Sequence, residues 1–254
     1  MIINRKTICV VSCIAFFCLT LLATLYALVR HVPAYYCDAM PPAGKERQRQ
    51  AAKFASDFAQ FYQDVTYNRQ WSVRFGQQAI NSFFAEHLNQ SGLGDGLVPA
   101  TDQSVDRRTP FTLPDGLSDP RLLVRADGFR LGLRYRWGPL DTVLSIDMRV
   151  WLAAGELNVV ALELQGLHVG ALPISAQSLL ERISETARSN NIEVTWYRYH
   201  GNPVALLRFQ ADQELPTYRL DHIALKDHEI GVWGRSSDGP SMRAATPASI
   251  KKSR

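Results

Sequence analysis

"FRLGLRYRWGPLDTVLSIDMRVWL", residues 129–152, alternates with a period of two. Phe129, Leu131, Leu133, Tyr135 and Trp137 fall on one side, and Arg130, Arg134 and Arg136 on the other. A period of two is the mark of a half-buried strand, and Gly138-Pro139 suits a two-residue hairpin loop that begins with glycine. That turn sets Leu133 against Leu144, Leu131 against Ile146 and Phe129 against Met148 on the apolar side. On the other side it sets Arg136 against Asp141 and Arg130 against Asp147.

Upstream, "ADGF" carries Asp127-Gly128, a strong hairpin signal, which pairs Ala126 with Phe129, Val124 with Leu131 and Leu122 with Leu133. Downstream, a three-residue loop at Ala154-Gly155-Glu156 sets Val150 against Val160, Met148 against Leu162 and Ile146 against Leu164, with Asp147 beside Glu163. The expectation is a four-stranded antiparallel meander with one oily face and one charged face.

On the charged face six arginines, Arg121, Arg125, Arg130, Arg134, Arg136 and Arg149, stand against three acids, Asp141, Asp147 and Glu163. Such a row reads either as the solvated side of a sheet or as a surface for phospholipid headgroups or an anionic envelope polymer. The second reading draws on Arg121 and Arg125 facing Arg134 and Arg130, a like-charge arrangement that an anion relieves. The candidate binding residues are therefore Arg121, Arg125, Arg130, Arg134 and Arg136.

After the meander, a helix is expected from near Pro173 to residue 188, with Ala176, Leu179, Leu180, Ile183 and Ala187 as its apolar stripe and Asn190-Asn191 as its stop. Two further hairpins follow, one around Gly201-Asn202-Pro203 and one turning near Asp227-His228. Residues 237–254 hold few apolar side chains, end basic and are expected to be disordered. Before the meander, "KERQRQAAKFASDFAQFYQDVTY" (45–67) has helical spacing, "WSVRF" (71–75) alternates as a strand, and "GQQAINSFFAEHL" (76–88) presents Ala79 or Ile80, Phe83, Phe84 and Leu88 on one helical face. Residues 91–119, rich in Gly, Pro and Asp, read as a long loop.

From Thr7 to Val29 the chain runs for 23 residues without a charge, about 35 Å of helix and enough to cross a bilayer. A cleaved signal peptide, cut after Ala34, is the rival reading, although an h-region normally has only about 7–15 residues. Arg5 and Lys6 precede the span, while Arg30, Lys45, Arg47 and Arg49 follow it. A span this near the amino terminus behaves as a signal anchor and carries the bulk across. The sequence thus divides into a cytoplasmic tip and anchor (1–34), a juxtamembrane amphipathic helix (35–70), an extracytoplasmic α+β domain (71–236) and the tail (237–254). The fold class expected is α+β: an antiparallel meander with helices packed on its apolar face, preceded by one transmembrane helix.

The chain has 254 residues, 46% of them apolar, and a formal charge of +4 that does not call for a nucleic-acid partner. Cys9, Cys13 and Cys18 lie inside the span, which leaves Cys37 without an internal partner outside it. No Gly-rich phosphate loop, CxxC, HExxH or GxSxG is present. Asp221-His222 and Asp227-His228 are neighbours in sequence, and strand neighbours point to opposite faces, a poor design for a shared metal or proton. His168 and His200 read as structural or surface residues, and Asn89-Gln90-Ser91 is a short glycosylation pattern. No metal, no cofactor and no catalytic residue are expected.

With its amino-terminal span, its "VRFGQQAINSFF" strand-to-helix unit and a meander leading into "LHVGALPIS" and a helix, the chain resembles the YpmS-like single-span bacterial envelope proteins. It is similar more distantly, in layout, to AsmA-type and tubular lipid-binding modules. The resemblance implies a membrane-tethered module that touches lipid, and it brings no catalytic residues. The function expected is a non-enzymatic envelope module that engages lipid, phospholipid or an envelope protein on its oily face or along the arginine face. An alternative from the residues themselves is a structural or assembly protein that binds another membrane protein through its span, Cys37 and the amphipathic helix.

Overall fold

The structure is a computed structural model, and it describes residues 5–88, 116–138, 140–189, 192–210 and 216–236. The glycosylation pattern at Asn89, most of the expected loop, the Asn190-Asn191 stop and the tail lie outside the described residues. The elements are α1 (Arg5–Val29), α2 (Ala34–Asp38), α3 (Lys45–Tyr67), β1 (Gln70–Gly76), α4 (Gln77–His87), β2 (Leu117–Arg125), β3 (Gly128–Trp137), β4 (Leu140–Leu152), β5 (Val159–Val169), β6 (Leu172–Pro173), α5 (Gln177–Ser189), β7 (Glu193–Tyr199), β8 (Asn202–Arg208), β9 (Tyr218–Lys226) and β10 (Glu229–Ser236). The class is α+β with antiparallel sheets and one apolar amino-terminal helix.

The strands form two sheets. The larger has the order β2-β3-β4-β5-β8-β7, with β6 attached to β5, and the smaller has the order β1-β10-β9. The expected meander is thus β2 to β5, and the hairpin around Gly201 extends it through β8. The last hairpin leaves the large sheet and pairs with β1, Val73 opposite Val232. Trp71 fixes this pairing from the side: a Cβ on Gly234 would lie 2.3 Å from its ring, so only glycine fits there.

The β3–β4 register is the expected one, with Leu131 opposite Ile146 and Arg130 opposite Asp147. The two flanking registers differ from expectation, by two residues next to the turns and by three beyond a bulge in each pair. In β2–β3, Val124 pairs with Phe129 and Leu122 with Leu131. The loop residues are Ala126 and Asp127, and Gly128 is already in β3, where a Cβ would sit 2.5 Å from the Met148 carbonyl oxygen. This glycine serves close approach to β4 rather than the left-handed turn geometry on which the Asp-Gly signal rests. In β4–β5, Leu152 pairs with Val160 and Val150 with Leu162, because the loop is longer than three residues and includes Asn158 at φ 54°. A bulge between Asp147 and Met148 then sets Asp147 opposite Gly166 and Arg149 opposite Glu163. Next to the turns a two-residue slip keeps side chains on their faces; beyond the bulges the phase inverts, which puts Leu117 and Leu167 on the oily face and Ser118 and His168 on the charged one.

Two other boundaries move. β2 begins at Leu117, inside the stretch expected to be loop, with a bulge between Ser118 and Arg121 that accommodates Pro120. Pro173 belongs to β6 opposite His168, and α5 starts at Gln177. The Ile174 N–H still donates to Leu167 O, which carries strand pairing past the proline.

Packing follows the apolar pattern. Leu133, Ile146, Leu164 and Leu167 form one buried cluster, against which Ala176, Leu179 and Leu180 pack. Ile80 of α4 forms a second cluster with Leu122 and Val124, and Phe54, Phe75, Leu225 and Ile230 close it, tying the small sheet to the large one. The helix expected to stand beside the membrane, α3, is packed into the body: Phe54 meets Phe83 and Phe75, and Phe61 meets Trp71.

β2 is an edge strand, and its free backbone is covered by side chains of α4. Asn81 accepts from Leu122 N–H through Oδ1 (2.7 Å) and donates to Leu122 O through Nδ2 (2.9 Å). Gln77 accepts from Val124 N–H (2.8 Å). Residues four apart share a helix face, so one stripe of α4 acts as a substitute strand and blocks the edge against another chain.

Candidate functional site

The charged face of the large sheet is where the juxtamembrane segment docks. α2 lays Tyr35 and Tyr36 across Gly132, where any Cβ would meet their atoms at 2.6 to 2.8 Å. Tyr35 Oη donates to Ser145 Oγ (2.7 Å), and Tyr36 Oη donates to Asp119 O (2.7 Å). Each ring also lies under an arginine: the Arg121 guanidinium sits 4.1 Å from the Tyr36 centroid and that of Arg130 sits 4.9 Å from Tyr35. These are cation–π distances.

Of the five candidate arginines, Arg121 is 6% exposed. It donates to Asp119 at 2.5 Å and to Tyr36 O at 2.6 Å, so it is an internal strut. Arg130 pairs with Asp147, which also lies 3.8 Å from His168 Nδ1. Arg134 pairs with Asp141 at 2.9 Å, a hydrogen bond that raises its pKa further. Arg136, the residue opposite Asp141 in the ladder, stays exposed. Arg125 is exposed too, at the other end of the β2–β3 pair. The like-charge confrontations disappear with the register: Arg121 faces Gly132, Arg125 faces Gly128, Arg130 faces Leu123 and Arg134 faces Ser118. The structure brings Arg121 and Arg130 under the tyrosines of α2, pairs Arg134 with Asp141 and leaves Arg125 and Arg136 exposed.

Ser145, His168 and Asp147 are neighbours on this face, Ser145 directly opposite His168. They are the residue types of a hydrolytic triad. Here Ser145 is 3% exposed and bonded to Tyr35, and the His168–Asp147 separation exceeds a hydrogen bond. Among the described residues, no cluster of three or more metal-ligating side chains occurs. Asp221 takes two hydrogen bonds from Arg235, which hold its carboxyl below the usual range, while His222 packs on Trp233 and Asp227 accepts from Ala126 N–H.

The oily face has a different cover. α5 reaches it through Leu179 and Leu180, yet within α5 only Ala187 is buried. Leu131, Leu144 and Met148 below are half-buried. A cleft of about 360 Å³ opens between α5 and the β7–β8 hairpin, lined by Leu180, Trp196, Tyr197 and Pro203 together with the polar Gln177, Glu181, Ser184 and Arg198. Trp196 Nε1 donates to Ser184 Oγ (2.8 Å) across its floor.

The third feature is the junction. α1 is long and apolar enough to cross a membrane, and its most apolar stretch is not buried in the fold. Carbonyls in a helix's last turn lack intrahelical partners. Here Leu28 O accepts from Ala171 N–H (2.9 Å), and Val29 O accepts from the Thr142 hydroxyl. Gly170, at φ +59°, lies so close that a Cβ would come within 2.3 Å of both carbonyl oxygens. The end of α1 is thus seated on the β4 start and the β5–β6 turn.

Comparison with family models, with curated proteins and with solved structures gives no significant match.

Sequence reasoning did not single out Tyr35, Tyr36, Thr142, Gly170, Gln77 or Asn81. The signal for the last two was present: polar residues at i and i+4 on an otherwise apolar helix face. The tyrosines resemble any aromatic pair beside a span, and nothing local points them at Gly132.

Proposed function

We propose that this chain is a single-span, membrane-anchored module whose folded part lies outside the cytoplasm, and that it holds a lipid's acyl portion on the oily face of the large sheet beneath α5 without catalysing a reaction. The observation that carries this reading is the cover itself. A wide apolar sheet face is roofed at this end by one amphipathic helix with a single buried residue, and a cleft opens along its side. Apolar clefts of a few hundred Å³ with a few polar groups are the common form of small-molecule sites. α5 begins six residues after Ala171, which is bonded to the end of α1, so a lipid would travel a short path from the bilayer. The resemblance of the sequence, in layout, to YpmS-like and tubular lipid-binding proteins agrees with this reading.

The seated junction supports an uncleaved anchor, because removal of residues up to Ala34 would strip partners from Thr142 and Ala171. Native mass spectrometry of the full chain released from gentle detergent tests the proposal. A retained lipid that is lost in Leu180→Trp, which fills the cleft, is the expected result. Absence of any lipid from the parent would overturn it.

The assembly reading has one observation in its favour: Phe58 and Tyr62 on α3 are 46% and 70% exposed, one helical turn apart. Co-purification of a membrane protein that is lost in Phe58→Ser/Tyr62→Ser would favour it.

A further inference from the structure

We infer that the edge of the large sheet that meets α1 is itself a membrane-contact surface, with Ile174 and Val32 entering the boundary between hydrocarbon and headgroups and Arg30 and Arg136 meeting lipid phosphates. The inference rests on α1 being a span. Its partner is the phospholipid bilayer that α1 crosses.

The geometry is fixed by hydrogen bonds. α1 has 25 residues, about 37 Å at 1.5 Å per residue, against a hydrocarbon core of about 30 Å. With Arg5 and Lys6 at one interface, Leu28 and Val29 fall at the other. Whatever is bonded to their carbonyls lies within a few ångströms of the same depth. Ala171 N–H and the Thr142 hydroxyl are so bonded. Three residues beyond Ala171, Ile174 is held by its own N–H bond to Leu167 O (2.9 Å) and is 43% exposed. Pro173 is exposed beside it, and Val32, just past the span, is 43% exposed.

Apolar side chains held this way at the end of a span meet lipid, not water. The charges agree. Arg30 donates to Tyr26 Oη (3.1 Å) and stacks over that ring at 5.6 Å, an arginine and a tyrosine together at the end of the span, the residue types that gather at membrane interfaces. Arg136 lies one ladder position from Thr142, at the same end of the sheet, and is exposed. The opposite end of β4 and β5 carries Leu157, 44% exposed, on the loop between them. Leu157 is separated from the junction by the 13 residues of β4, roughly 40 Å of strand.

That distance supplies the internal control. The full chain, with Cys9, Cys13, Cys18 and Cys37 replaced by Ser, is reconstituted into vesicles of phosphatidylcholine and phosphatidylglycerol. It carries Ile174→Cys or Leu157→Cys labelled with an environment-sensitive fluorophore. The expected result is a blue-shifted emission at 174, quenched by lipids bearing a nitroxide near the headgroup, with solvent-like emission and no quenching at 157. Equal, solvent-like behaviour at both positions, in chains that float with the vesicles after alkaline washing, would overturn the rim and leave the anchor standing. Chains that do not float would overturn both. Arg136→Gln adds a second readout: a loss of at least half the quenching difference between anionic and neutral vesicles is expected, and an unchanged difference would remove Arg136 from the surface.

Discussion

Arg121→Gln should destabilise the folded part by about 3 kcal/mol, whereas Arg136→Gln should change it by less than about 0.5 kcal/mol. Arg121 is buried, paired with Asp119 at 2.5 Å, bonded to Tyr36 O at 2.6 Å and stacked 4.1 Å from the Tyr36 ring. Removing one partner of a buried pair costs about 3–5 kcal/mol, because the other is left uncompensated. The Asp119 side chain keeps 20% exposure, so water recovers part of its solvation and the lower end of that range applies. The glutamine can still donate to one acceptor. In a folded part of this size each kcal/mol moves the melting temperature by about 2–4 °C, which gives a fall of roughly 6–12 °C. Thermal unfolding of the full chain in detergent, followed by tryptophan fluorescence, reads this directly. A coupling of about 0.5–3 kcal/mol between Arg121→Gln and Tyr36→Ala is expected in a double-mutant cycle, since the two residues touch. If Arg121→Gln melts within a degree of Arg136→Gln, α2 does not dock on this face and the assignment of Arg121 to internal packing fails.

Gly170→Val should detach the end of α1 from the sheet, because a Cβ at φ +59° collides with the Leu28 and Val29 carbonyls; faster amide exchange at Ala171 and faster proteolysis between residues 30 and 44 would report it. Asn81→Leu leaves the Leu122 N–H and C=O without their side-chain partners, a loss of about 1–3 kcal/mol in chemical denaturation with the midpoint shifted and the slope unchanged. Ile146→Asp and Ser145→Asp should both unfold the domain, the first by placing a carboxylate in the apolar cluster and the second by crowding Tyr35 beside Asp147; retention of a cooperative melt in either would contradict its burial. The pH dependence has two limbs. Asp221 is held below its ordinary value of 3.8 by Arg235, so its contribution is present above that pH and fades below it. Tyr218 is raised above 10.0 by burial, so its contribution is present below pH 10.0 and is lost as pH rises further. Asp221→Asn should therefore flatten the acid limb of a stability–pH profile, and Tyr218→Phe the alkaline limb.

The meander was legible because its information is local. Alternation from Phe129 to Leu152 sets the faces, and Gly138-Pro139 sets one register that the structure reproduces. The Asp127-Gly128 signal misled by two residues because it assigns Gly128 to a positive φ, while the chain uses that glycine to let β3 approach Met148. Next to the turn the error left the faces intact, because a slip of two preserves parity. What was not legible is long-range: β1 finds β10 across most of the chain, β8 rather than another part of the meander completes β5, and α2 folds back onto the arginines. Such choices depend on shape complementarity between segments that share no pattern in sequence. The row of arginines was visible; the two tyrosines that cover Arg121 and Arg130 carry no period or spacing that would aim them there.

The covered arginine face and the seated helix end bear on one another. A span joined to a domain by a flexible linker leaves the domain free to turn, and every face meets the bilayer some of the time. Here residues 30–44 are taken up by α2, by Tyr36 and Ala39, which are buried, and by the Asn81 donation to Ala39 O at 3.1 Å. The linker therefore holds one orientation, with the carbonyls of α1 bonded to the sheet on one side and two tyrosines packed on the charged face on the other. An orientation fixed in this way stabilises the whole fold only slightly, since each bond contributes about 0.5–1.5 kcal/mol. Its larger effect, on the proposal that α1 crosses a bilayer, is positional: α5 and the cleft beside it would stay near that bilayer, where a lipid proposed to bind there would arrive. Loosening the seat with Gly170→Val, while leaving α5 untouched, should on this reasoning lower lipid occupancy in native mass spectrometry, with a loss of fold stability limited to the roughly 1–3 kcal/mol strain of a β-branched residue at φ +59°. Occupancy equal to that of the parent would separate the cleft from the junction and show that the fixed orientation serves something other than lipid capture.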